Sequence, residues 1–332
     1  MNLIEYPSKT ELKKILERPQ FDGFALEGVV KDIMEDVHIN GDAAIKKYTL
    51  LFDKAEVDTL AVSEIEFVEA EKLCPAPLKE AIQLAKRNIE KFHHSQKENF
   101  LVVETSPGVS CWRKSVGIEK VGLYIPGGSA PLFSTVLMLG VPAKLAGCKE
   151  IILCTPPNAE GKIDCAILYT AALVGIKKVY KAGGVQAIAG MAYGTASIPS
   201  VYKIFGPGNQ YVTCAKKLVN KEGVAIDMPA GPSELAILAD QSCVPAFVAA
   251  DLLSQAEHGV DSQVILVSDD IDVIKAVLLE VQKQLEALPR RKIAVAALEN
   301  SKAILVKDKN EGIDLLNEYA HEHLIISCCD EE

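Results

Sequence analysis

The feature that most constrains this chain is a rhythm. Between Val121 and Glu234, apolar runs alternate with glycine turns and helical stretches: "VGLYIPGG", "PLFSTVLMLGVPAKLAG", "EIILCTPP", "DCAILYTAALVG", "KKVYKAGG", "VQAIAGMAYG", "VYKIFGPG", "NQYVTCAKKLV" and "GVAIDMPAGPSE". Strands that are apolar throughout, each followed by a helix, imply a parallel sheet covered on both faces. Ligands of open α/β sheets bind beyond the carboxyl ends of the strands. The turns there hold Tyr124, Pro126-Gly127-Gly128, Gly183-Gly184, Gln186, Gly206-Pro207-Gly208-Asn209 and Ser233. Neither GxGxxG nor GxxxxGK[ST] occurs, so no single turn identifies a nucleotide site. The stretch Gly206 to Asn209 closes a strand and opens a helix, where backbone N–H groups can receive a pyrophosphate. The competing reading is tight strand-to-helix packing that needs glycine.

A second series follows: "ELAILAD", a helix running into Gln255 and His258, "SQVILVS", the helix "DVIKAVLLEVQKQLEAL", then β segments, a short helix and "EHLIIS". The first hundred residues read as helices, with capping boxes at Ser8/Glu11 and Ser63/Glu66 and helical apolar spacing in "APLKEAIQLAKRNIEKFHHSQK". The segments "FLVVET" and "VSCWRKSV" around Pro107-Gly108 read as a hairpin. A chain of 332 residues exceeds one ordinary core, so two domains are expected. The simplest arrangement is an N-terminal helical segment over 1–20, a discontinuous α/β domain from 21–115 and 236–332, and an inserted α/β domain over 116–235. The fold class is α/β with parallel-rich sheets plus N-terminal helices.

Charge excludes some partners. With 35 Lys+Arg against 45 Asp+Glu, the net −10 argues against nucleic acid or an anionic membrane and favours a small-molecule substrate. The start, "MNLIEYPSKTELKKILERPQ", lacks the apolar core of a signal peptide, and no stretch offers 18 uninterrupted apolar residues. A soluble cytoplasmic protein is expected. The nine cysteines are scattered without a CxxC pair and read as reduced core thiols, Cys148 in "LAGCKE" among them.

Two clusters could carry chemistry. Gln255 and His258, at i and i+3, share a helix face while Glu257 points elsewhere. Zinc accepts imidazole nitrogen and side-chain oxygen, but a catalytic site takes three protein ligands and an open position. The competing reading is a capped helix end. Near the last strand, Glu322 beside His323 is equipment for acid and base work near neutral pH. In an extended segment His321 and His323 share a side, so a metal pair and a polar strand entry are also open readings.

Taken together, "VGLYIPGGSAPLFSTVLM", "GGVQAIAG", "KIFGPGNQYV", "DMPAGPSE", "LLSQAEHGVDSQVILV" and "YAHEHLII" resemble histidinol dehydrogenase, in order from about Lys114 to Ser327. The resemblance implies two incomplete Rossmann-like domains, a homodimer, and two consecutive NAD-dependent oxidations that take L-histidinol to L-histidine through the aldehyde, the last step of histidine biosynthesis. It implies that Gln255 and His258 are two zinc ligands that also touch substrate, that Ser233 and His323 contact substrate, and that Tyr124, Gln186 and Asn209 contact NAD. His323 is then the base for alcohol oxidation, and Glu322 activates the water that adds to the aldehyde. The family usually has proline where this chain has His321. It also continues past the position of Glu332 into a segment with the remaining zinc ligands, an aspartate and a partner subunit's histidine, and a substrate-binding glutamate. The expectation is therefore an interrupted gene product with weak zinc binding and impaired activity. Two rivals stand beside it: a non-catalytic dinucleotide-binding remnant, and a zinc hydrolase using Glu257 or Glu322 as base.

Overall fold

A computed structural model describes residues 1–18, 23–98, 100–127, 131–229 and 233–329. Gly128, named above among the turn glycines, lies outside the described residues. The chain divides into two compact units, Asp22–Ala230 and a second made of Met1–Phe21 with Gly231–Glu332. It opens with β1 (Asn2–Glu5) and α1 (Lys9–Ile15), which belong to the second unit.

The larger unit begins with α2 (Gly23–Asn40), α3 (Asp42–Tyr48), a π-turn over Thr49–Asp53, α4 (Glu64–Leu73) and α5 (Ala76–Ser95). The hairpin β2 (Val102–Ser106) and β3 (Val109–Trp112) follows. Then come β4 (Lys120–Tyr124), α6 (Phe133–Leu145), β5 (Glu150–Thr155), α7 (Cys165–Val174), β6 (Lys178–Lys181), α8 (Gly184–Tyr193), β7 (Lys203–Phe205), α9 (Gln210–Lys221) and β8 (Ala225–Ile226). Its main sheet is parallel, in the order β6-β5-β4-β7-β8. Winding reverses between β4 and β7, which opens a crevice at their carboxyl ends.

Helices cover both faces because every strand alternates its side chains between two cores. Tyr124 enters the core formed by Val30, Ile33 and Val37 of α2 with Ile188 of α8 and Val212 of α9. Leu123 enters the other, with Ile82 of α5, Val136 of α6 and Ile167 of α7. The expected pairing of 21–115 with 236–332 is therefore corrected: α2 to α5 clothe the sheet of 120–226, within one unit from Asp22 to Ala230. Helical periodicity reveals that a helix has an apolar stripe, not which sheet receives it.

The second unit continues with β9 (Glu234–Ala239), α10 (Pro245–Ala256), β10 (Gln263–Ser268), α11 (Ile271–Ala287), α12 (Arg291–Glu299), β11 (Lys302–Leu305), α13 (Lys309–Tyr319) and β12 (His323–Ser327). Its sheet is also parallel, in the order β1-β11-β10-β9-β12, with a reversal between β9 and β12. Both units are thus Rossmann-like halves. The β segments expected after α11 resolve into one helix, α12, and one strand, β11. The helical reading of the first residues missed β1, which is extended because it pairs with β11. Both expected capping boxes form, at Ser8/Glu11 and Ser63/Glu66.

Candidate active site

In the larger unit the candidates gather at the carboxyl ends of the strands. Tyr124 ends β4 with its ring buried, and its hydroxyl accepts the N–H of Gly184 at 3.1 Å. Burial pushes its phenol up to about 12, so it stays protonated. Gln186, in the first turn of α8, is only 1% exposed, and neither its amide oxygen nor its amide nitrogen has a partner among the described residues. An unpaired buried amide costs about 1–3 kcal/mol. A bound group offering one donor and one acceptor there would remove that cost, so these residues fit a dinucleotide. Asn209 caps α9, its Oδ1 accepting from Tyr211 and Val212 N–H at 3.1 Å each. Its amide nitrogen is the part left to meet a ligand.

The turn before Asn209 is held from two sides. Gly206 N–H donates to Asp227 Oδ2 at 2.7 Å, and buried Lys216 Nζ donates to the Gly206 carbonyl at 2.8 Å while pairing with Asp227. Gly206 has φ +132°, and a Cβ there would meet the Tyr124 carbonyl oxygen at 2.0 Å. Only glycine allows this approach of β7 to β4. Asp53, at the end of the π-turn, has a buried Oδ2 without a partner among the described residues, and burial pushes its carboxyl up to about 6. Its charge contributes to the raised phenol of Tyr124.

In the second unit the candidates lie at the opposite kind of strand end, the amino ends. Ser233 immediately precedes β9 and is therefore not one of the carboxyl-end turn residues of the 120–226 sheet, as the sequence placed it; its carbonyl accepts the N–H of Gln263 at 3.1 Å. Glu322 immediately precedes β12 and His323 opens it, in register with Leu235. Their side chains approach to 3.8 Å, Nε2 to Oε2, and are 44% and 60% exposed, open to a substrate and to water. Backbone N–H of Glu234 lies 3.5 Å from Glu322 Oε2.

The α10 helix ends at Ala256, capped by Glu257, so His258 lies just beyond it. The chain keeps turning, with His258 N–H donating to the Gln255 carbonyl at 3.1 Å. Gln255 is buried and His258 exposed. Among the described residues no group of three or more His, Cys, Asp or Glu side chains could hold a metal ion. Gln255 and His258 are donors of a suitable type, but two donors fall short of the three a catalytic zinc takes. The described residues do not fit zinc by themselves. His321 and His323 likewise belong to no group of three or more such donors among the described residues. The ring of His321 lies against that of Tyr319, centroids 6.4 Å apart, and burial pulls its pKa down toward the neutral form.

Sequence reasoning missed Arg18, Glu234, Lys216, Asp227 and Asp53. Arg18 carried no signal in its own neighbourhood, because its partners are two hundred or more positions away. Glu234 carried one: a carboxylate opening an otherwise apolar strand asks for a buried cation.

A family model described as Histidinol dehydrogenase matches residues 16–332. Histidinol dehydrogenase of Bacteroides fragilis is 59% identical over 99% of this chain and 77% of its own length. That of Bacteroides thetaiotaomicron is 59% identical over 98% of this chain and 76% of its own. The crystal structure of histidinol dehydrogenase from Elizabethkingia anophelis superimposes with a TM-score of 0.95 at 53% identity, covering 98% of this chain and 75% of that one. The blocks quoted from Val121 onward therefore belong to a likeness that spans nearly the whole chain, and the chain is a member of the histidinol dehydrogenase family, the oxidoreductases that oxidise histidinol in histidine biosynthesis.

Proposed function

We propose that this chain carries out the NAD-dependent oxidation of L-histidinol to L-histidine through the aldehyde, as a cytoplasmic homodimer. The observation that carries the reading is the approach of His323 to Glu322 at 3.8 Å on an exposed strand entry, in a chain of this family. Tyr124, Gln186 and Asn209 hold NAD, which supplies the hydride acceptor for both oxidations. Support comes from the unpaired amide of Gln186 and from the carboxyl-end crevice that Tyr124 and Asn209 border.

His323 Nε2 takes the hydroxyl proton of the alcohol while the carbinol hydrogen departs as hydride with two electrons, leaving the aldehyde. Glu322 then takes a proton from water as its oxygen bonds to the aldehyde carbon. The hydrate loses a second hydride and becomes the carboxylate. Across both steps one water and two hydride acceptors are consumed and three protons reach solvent, one through His323, one through Glu322 and one from the hydrate's remaining hydroxyl as it becomes the carboxylate. Ser233, just before β9, contacts the substrate together with Gln255 and His258 at the end of α10. Zinc enters only as a group that Gln255 and His258 would hold with donors outside the described residues, and neither proton transfer is routed through it.

The β2–β3 hairpin exposes Val102 beside Trp112 on one side of the ribbon and Val103 on the other, apolar surface available to a second copy. The cytoplasmic assignment rests on the biosynthetic role of the family. Among the described residues no helix is long and apolar enough to cross a membrane.

The test is NADH formation from L-histidinol and NAD by the purified chain with zinc supplied, with histidine quantified by mass spectrometry. Two NADH per histidine is the expected result. A folded chain that forms neither product would overturn the catalytic reading. Protection of Tyr124 and Gln186 by NAD in that inactive chain would establish the non-catalytic dinucleotide-binding protein instead.

A further inference from the structure

Arg18 ties three separate pieces of the second unit together. Its Nε donates to Glu234 Oε1 at 2.5 Å and its Nη2 to Glu234 Oε2 at 3.0 Å, a fork on one carboxylate. The same Nη2 donates to the carbonyls of Tyr319 at 2.7 Å and Ala320 at 3.1 Å. Its Cζ lies 4.7 Å from the centroid of the Tyr319 ring. Tyr319 is itself fixed, buried with its hydroxyl donating to Gln263 Oε1 at 2.6 Å.

Each contact answers a local need. Glu234 is 2% exposed, and a buried carboxylate requires a cation or several donors. The carbonyls of Tyr319 and Ala320 stand at the carboxyl end of α13, where helix geometry leaves acceptors unsatisfied and the dipole favours a cation. Ala320 adopts a left-handed conformation at φ +50°, which costs a non-glycine residue about 1 kcal/mol or more and persists only where its surroundings hold it. Two residues later the chain delivers Glu322, whose Oε2 faces the N–H of Glu234, and then His323.

We propose that Arg18 is a positioning residue for the Glu322–His323 pair, fixing the turn at Tyr319 and Ala320 against Glu234 so that the pair enters β12 in one geometry. This rests on the role given to that pair under the proposed function. Removing the guanidinium leaves the buried Glu234 charge uncompensated next to the turn and frees the strained residue before the pair. A lysine keeps the charge but not the fork.

The test uses the full chain as Arg18→Lys and Arg18→Met, with two readouts. The first is kcat and KM for L-histidinol, where kcat is expected to fall about 10- to 100-fold with KM moved less than about threefold, as for misplaced catalytic groups. The second is the ring NMR signals of His323 and His258 in histidine-labelled protein, where His323 is expected to shift and His258 to stay, the latter also reporting that the variant is folded. An unchanged His323 signal in either folded variant, or an unchanged kcat, would overturn the proposal. If the parent chain does not oxidise histidinol, the functional reading fails by itself, and the His323 signal still decides whether Arg18 positions the pair.

Discussion

His323 Nε2 stands 3.8 Å from Glu322 Oε2, so two residues adjacent in sequence turn their side chains toward one another at the entry of a strand. Strand alternation by itself would send neighbours to opposite faces; Glu322 lies one residue before β12 and escapes that constraint.

The division of labour between the two residues gives a first prediction. His323→Asn is expected to slow alcohol oxidation by about 10²–10⁴-fold, the usual range for a lost general base. Glu322→Gln is expected to spare that step and slow aldehyde oxidation by a similar factor. Assaying histidinol and the aldehyde separately as substrates checks this, and equal losses on both substrates would refute it.

Gln186 makes opposite predictions for stability and binding. Replacing its unpaired amide by the similarly sized side chain in Gln186→Met should stabilise the ligand-free chain by about 1–3 kcal/mol. The same change should weaken NAD binding tenfold or more. Denaturant melts and calorimetric titration with NAD provide the two measurements; a variant that is both less stable and unchanged in affinity would show the amide to be satisfied within the protein.

At Gly206 the backbone leaves no freedom. A methyl group would collide with the Tyr124 carbonyl and would have to accept φ +132°. Gly206→Ala should therefore cost at least about 2 kcal/mol in urea unfolding, from strain and overpacking together. Gly223→Ala is the control: its Cβ would meet nothing within 4 Å, although φ +102° still strains it. It should cost less.

The raised carboxyl of Asp53 couples stability to pH. Its folded pKa of about 6 exceeds the unfolded value near 3.8, so ionisation costs the folded state once pH rises through that window. Asp53→Asn should raise the melting temperature above about pH 6, and the gain should shrink as pH falls toward 4. Melting curves of both proteins across that range decide the matter, and a gain that is constant with pH would assign it to something other than the charge.

What the sequence by itself determined is everything carried by short-range pattern. Apolar runs of strand length, glycine turns and helical spacing repeat within each unit, and Ser8/Glu11 and Ser63/Glu66 form their capping boxes because the two members are one helical turn apart. Tyr124, Gln186 and Asn209 were legible as residues bordering the strand-to-helix turns for the same reason. Tertiary structure alone decided which sheet α2 to α5 would cover, that Ser233 sits at an amino rather than a carboxyl strand end, and that Gly206 would be held by Lys216 and Asp227. It also brought Arg18 onto Glu234 across 216 positions of chain. These relationships depend on how strands order themselves in a sheet and on where a buried charge finds its counterion. Neither leaves a periodic trace in the residues around it, because the partners meet only after the sheet has formed.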